Sequence, residues 1–162
     1  MSSPRVDRRR TVAVIGPGDC TDPGLLRAAR DVGAGLADAG YAVVTGGLGG
    51  VMAAAGAGAA EHGGTVIGVL PGTDANAAND AVTIALPTGL GQGRNVVVAS
   101  ADAVIAIGGS WGTLSEIALA RRMNRPVVVL DGWRVDGPPA GDQPIAATDA
   151  AAAVREVVSR LS

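Results

Sequence analysis

Residues 108–116 read GGSWGTLSE. Glycines let an anion touch the backbone. A helix beginning at their end offers free N–H groups and the positive end of its dipole. Glu116 falls in the first turn of a helix predicted over 114–123, and two chemistries fit it. Thr113 to Glu116 matches a capping box, in which the N3 glutamate reaches back to the N-cap amide. Alternatively, the carboxylate orients a water or stabilises positive charge developing on a ribose, as glycosidic cleavage requires. The chain has three glutamates, and Glu61 and Glu156 fall late in predicted helices. Glu116 alone stands beside a glycine loop, and both readings stay open.

Two further loops have similar composition. Gly46, Gly47, Gly49 and Gly50 lie in GGLGG, which follows one apolar run and opens a helix of very small residues. Gly16 and Gly18 lie in GPG after the first apolar run. That turn admits a small phosphate or is only a tight strand-to-helix connection. It lacks the third glycine of a dinucleotide fingerprint, and strand two ends in Thr45 where a ribose-binding acid belongs, so NAD is disfavoured. Gly108, Gly109, Ser110, Gly112 and Thr113 complete the expected phosphate- or nucleotide-binding set. Trp111, at the loop tip, either covers a ligand or packs. Arg94 opens a helix just after PTGLGQG, where the dipole disfavours a cation unless an anion compensates. The alternative is an exposed surface arginine.

Composition removes several classes. All 13 basic residues are arginine. Without lysine there is no pyridoxal-phosphate Schiff base and no Walker A loop. One cysteine, Cys20, and one histidine, His62, exclude an internal disulfide and a Cys/His zinc site; no metal is expected. His62 is expected at a helix C-terminus. A net charge of −2 suggests no nucleic-acid partner. No apolar run approaches a membrane span, no signal segment follows the basic run RVDRRR, and a cytoplasmic protein is expected.

The elements that must position these residues alternate strand and helix along 162 residues of 48% hydrophobic composition. Residues 1–10 are expected as a flexible basic tail and 11–162 as one domain. Strands are predicted over 11–15, 41–45, 65–70, 82–86, 103–107 and 126–130, each apolar and rich in β-branched residues. Helices are predicted over 23–39, with Asp22 as N-cap and Pro23 at N1, over 51–63, 94–100 and 114–123, and over 149–161. The Pro- and Gly-rich stretch 131–148 is expected as a loop and mobile flap. The result is an α/β, Rossmann-like three-layer sandwich with a mostly parallel sheet of six or seven strands. Strand 82–86 is expected at an edge beside 65–70. Strand order should reverse between 11–15 and 103–107, where ligands bind outside the strands' carboxyl ends.

TGGLGGVM, TGLGQGRN and SADAVIAIGGSWGTLSEIALA closely resemble the LOG (lonely guy) superfamily, often mislabelled lysine decarboxylase. The branch they resemble is the DprA-related Rossmann nucleotide-binding group that includes the molybdenum cofactor carrier protein. LOG enzymes split a nucleoside 5′-monophosphate into free base and ribose 5-phosphate. The resemblance implies that Arg94 and Glu116 are catalytic and that a nucleotide or other phosphate-bearing ligand binds, with no further cofactor required. It also implies a homodimer or higher homo-oligomer. Gly108 stands where the family has proline, Ser110 where it has glycine, and Asn95 where it has lysine. A non-catalytic carrier or sensor of a nucleotide or molybdenum-cofactor-type ligand is the alternative to a phosphoribohydrolase.

Overall fold

The computed structural model describes residues 8–137 and 143–162. Seven strands form one sheet: β1 (Thr11–Ile15), β2 (Ala42–Thr45), β3 (Val66–Leu70), β4 (Ile84–Pro87), β5 (Ala103–Ile107), β6 (Val127–Leu130) and β7 (Ile145–Ala147). Their order is β4-β3-β2-β1-β5-β6-β7, and every pairing is parallel. The expected edge position of 82–86 beside 65–70 is borne out, with the strand itself shifted to Ile84–Pro87. Order reverses between β1 and β5, whose register pairs Val12 with Ala103 and Ile15 with Ala106.

Five helices cover the sheet: α1 (Pro23–Asp38), α2 (Val51–Glu61), α3 (Arg94–Ala99), α4 (Trp111–Arg122) and α5 (Ala150–Leu161). Alternate side chains of each strand serve opposite faces. Val12 and Val14 join a core with Val32 and Leu36 of α1, Val51 and Ala55 of α2, and Val157 of α5. Ala13 and Ile15 join a second core with Val98 of α3 and Ile117 of α4. The three-layer, Rossmann-like α/β sandwich is therefore as expected.

Asp22 caps α1 by accepting from the Gly24 and Leu25 amides, with Pro23 at N1. The small residues of α2 serve α1. A Cβ at Gly58 would lie 1.9 Å from the Arg30 carbonyl oxygen, and one at Gly33 the same distance from that of Ala55. The two helices cross backbone to backbone.

Three sequence expectations change. The stretch 131–148 holds β7, whose Ile145 pairs with Val128. Three residues with no alternation behind prolines carry no strand signal of their own, and pairing with β6 supplies it. Helix α4 starts at Trp111, three residues earlier than expected, because Ser110 rather than Thr113 is its N-cap. Of the expected basic tail 1–10, residues 1–7 fall outside the described residues. Arg9 donates to the Thr65 hydroxyl at 3.0 Å, and Arg10 donates to the Leu161 carbonyl.

Candidate functional site

The carboxyl ends of β1 and β5 open onto a pocket of about 160 Å³. Gly16 and Gly18 border it after β1, Gly46 after β2, and Ser110, Gly112 and Thr113 at the start of α4. Arg94 and Glu116 complete it from α3 and α4, helices that pack side by side. Eight of the residues singled out from sequence thus meet in one cavity. Gly47, Gly49, Gly50, Gly108 and Gly109 do not line it. Gly47, Gly50 and Gly108 hold left-handed turns, with φ of 76°, 58° and 68°. A Cβ on Gly49 would approach the Gly18 carbonyl oxygen to 3.0 Å, and one on Gly109 would approach the Trp133 indole nitrogen to 3.2 Å. Trp111 lines an adjoining cleft instead. Ile15, Met52 and Asn95 also line the pocket. Asn95 and Met52 were visible beside Arg94 and Gly50, but nothing local distinguishes them from core or surface residues.

The structure settles the local role of Glu116. Ser110 Oγ accepts the Thr113 amide at 3.2 Å and lies 3.0 Å from the Thr113 hydroxyl. Glu116 therefore sits in the second turn, beyond reach of a capping box, and is only 7% exposed. The capping reading fails because both Ser110 and Thr113 are competent caps, and the chain uses the earlier one. Trp133, arriving from beyond β6, donates its indole N–H to the Ser110 carbonyl at 2.9 Å and pins that start. The amides of Trp111 and Gly112, first in the helix, have no intrahelical acceptor.

Arg94 is not a surface residue. Its guanidinium lies 3.8 Å from Glu116 Oε1, with both side chains largely buried. It donates to the Asn95 side-chain oxygen, while its Nε is buried without a partner among the described residues. A Cβ on Gly46 would lie 2.8 Å from the guanidinium, so glycine there makes room for the arginine. Burial pushes the Glu116 carboxyl up to about 7, and Arg94 offsets this only partly. At 3.8 Å the pair is beyond direct hydrogen-bond distance, so attraction does not overcome desolvation. The pocket thus brings together an arginine, the first turn of α4 and a carboxyl that takes or gives a proton near neutrality. That set suits a phosphate and proton transfer beside it.

His62 is the C-cap residue of α2 and lies 2.8 Å from Asp38, outside the pocket lining. Among the described residues no group of three or more His, Cys, Asp and Glu could hold a metal ion, and no helix is long and apolar enough to cross a membrane.

Residues 9–158 match the sequence model of the SLOG cluster4 family. The molybdenum cofactor binding protein of Rippkaea orientalis superposes with a TM-score of 0.85 at 33% identity, over 96% of this chain and 99% of that one. The molybdenum cofactor carrier protein of Chlamydomonas reinhardtii gives 0.83 at 36% identity, over 95% and 99%. A cytokinin riboside 5′-monophosphate phosphoribohydrolase of Mycobacterium marinum is 34% identical over 139 residues, covering 77% of this chain and 72% of its own length.

Proposed function

The chain belongs to the SLOG cluster4 family, and from that premise we propose that it binds and carries a small phosphorylated ligand. The phosphate sits in the pocket between α3 and α4. One observation carries this reading: the Arg94 guanidinium, too far from Glu116 for a hydrogen bond, lines the pocket beside the first turn of α4, whose leading amides have no intrahelical acceptor. An incoming phosphate neutralises the guanidinium charge, and Glu116 takes up a proton as the anion arrives. Two relatives similar to nearly the whole chain are described as binding or carrying the molybdenum cofactor. A ligand of that type, or a nucleotide, is the cargo they support.

Cleavage of a nucleoside 5′-monophosphate is the second reading, favoured by Glu116. A carboxyl titrating near 7 is matched to general acid–base work at neutral pH. With the phosphate on Arg94 and the α4 amides, it would assist departure of the base through an oxocarbenium-like state. Glycosidic hydrolysis ordinarily uses two carboxylates, and Glu116 is the one acid in the pocket lining. Carriage therefore ranks first.

Titrating phosphorylated ligands by calorimetry, while following free base from a panel of nucleoside 5′-monophosphates by chromatography, separates the readings. Binding without base release supports carriage. Release by wild type but not by Glu116→Gln establishes cleavage. No binding by any phosphorylated ligand rejects both.

Self-association belongs to the same proposal. Ile84 and Leu86 on edge strand β4, Leu90 in the next turn, and Val96 and Val97 on α3 expose large apolar side chains on consecutive elements. This face, rather than the small-residue helix α2 that α1 already occupies, is the proposed contact with a second copy. Val96→Asp should shift the sedimentation profile to monomer.

A further inference from the structure

The Ser110 carbonyl takes two donors. The Leu114 amide reaches it at 3.0 Å as the first helical bond of α4, and the Trp133 indole N–H reaches it at 2.9 Å. A carbonyl oxygen has two lone pairs, so both are engaged. The same peptide group carries the Trp111 amide. A peptide bond is planar and trans, so fixing the carbonyl also fixes the N–H on its opposite side. That N–H is the leading donor of α4 and has no intrahelical acceptor. It stands between Ser110 and Gly112, which both border the pocket. Donation to a carbonyl also polarises its peptide and strengthens the N–H as a donor.

Trp133 is itself held in place. The Leu130 carbonyl accepts the Gly108 amide at 3.0 Å. Asp131 then turns left-handed, with φ of 48°. A Cβ on Gly132 would lie 2.2 Å from the Gly108 carbonyl oxygen, so the two backbones touch. The Trp133 ring packs on the second core, 5.1 Å from the Trp111 ring. The segment after β6 thus grips the loop after β5 from outside the pocket, whose lining does not include Trp133. Apart from the amides, the pocket holds Glu116 at 7% exposure with Arg94 3.8 Å away, so both groups keep hydrogen-bonding capacity for a ligand.

We infer that Trp133 is a positioning residue for anion binding: its N–H aims and strengthens the Trp111 amide without touching the ligand. The inference rests on the phosphate reading above.

The test titrates isotope-labelled protein with inorganic phosphate and with ribose 5-phosphate, following backbone amide shifts in wild type, Trp133→Phe and Val135→Ala. Phenylalanine keeps a ring on the core and removes the N–H. Val135 packs on the same core with no bond to Ser110, so Val135→Ala reports loosened packing alone. In wild type the Trp111 amide proton should move downfield as ligand is added. Trp133→Phe should bind about three- to tenfold more weakly, the scale of one hydrogen bond, with the Trp111 response reduced. Val135→Ala should bind as wild type does. Equal affinity of Trp133→Phe and wild type, or equal losses in the two variants, overturns the positioning role and spares the phosphate reading. So does a wild-type titration that moves other α4 amides and leaves Trp111 unmoved, a result that needs no variant to fold. Binding of neither ligand by wild type overturns both.

Discussion

The chain builds two glycine-rich helix starts on one sheet edge, and they have opposite fates. Past Gly46, which borders the pocket, loop 46–50 is closed by protein. The Val51 amide at the start of α2 donates to the Pro17 carbonyl at 3.1 Å, and Gly47 donates to the buried Thr45 hydroxyl at 3.0 Å. Asn79 covers the loop's carbonyls, donating from its amide to Gly47 and from its side chain to Leu48. Loop 108–112 is open. Ser110 takes the Thr113 amide, while the first two amides of α4 face no intrahelical partner and Gly112 borders the pocket. The same composition therefore does two things. At Gly50 glycine permits backbone to pack on backbone; at Gly112 it leaves the pocket wall clear.

Substitutions can break this contrast. The largest effect is expected at Gly50, where a Cβ would lie 2.2 Å from the Pro17 carbonyl oxygen at a φ of 58°. Gly50→Ala should cost about 3–5 kcal/mol from strain and overpacking together, read as a large drop in thermal midpoint. If it is neutral, the first loop is not closed as described.

Next comes Glu116. Its folded value, about 7, lies above the unfolded 4.5, so the folded protein binds more protons than the unfolded one between those values. Stability should fall as pH rises through that window, on the order of 3 kcal/mol in all. Glu116→Gln should flatten the dependence and stabilise the protein at pH 8 while changing little at pH 4. Denaturant midpoints across pH check this, and an unchanged slope would refute it.

Removing the α4 cap is smaller. Ser110→Ala should cost about 1 kcal/mol, whereas Thr113→Ala, if Thr113 were the cap, would cost as much; comparing the two by denaturant titration sharpens the assignment. The smallest stability change is at Gly112, where a Cβ meets only the Ser110 hydroxyl at 3.7 Å. Gly112→Ala should be neutral or stabilise by about 0.5 kcal/mol yet weaken phosphate-ligand binding measured by calorimetry. The open loop thus tolerates a side chain that the closed loop rejects.

Much of the frame was legible. Runs such as TVAVI and AVIAI can bury both faces only inside a parallel sheet, and they form β1 and β5 with the expected bounds. Asp22 followed by Pro23 marked the start of α1 because capping is local chemistry. β7 was missed, since its three residues owe their conformation to β6. The start of α4 was misplaced by a turn, since Ser110 and Thr113 are equal candidates until Trp133 takes the Ser110 carbonyl.

Sequence by itself determined the residue types at the ligand edge and excluded lysine chemistry, a zinc site and a Walker loop. It also set the alternation that makes a doubly covered sheet. Only the tertiary structure decided which glycines border the pocket, and it alone turned Glu116 from a cap candidate into a buried acid beside Arg94. The reason is physical. Caps and strand periodicity depend on neighbours within a few residues. Burial, pKa and the 3.8 Å meeting of α3 with α4 depend on groups brought together across the chain.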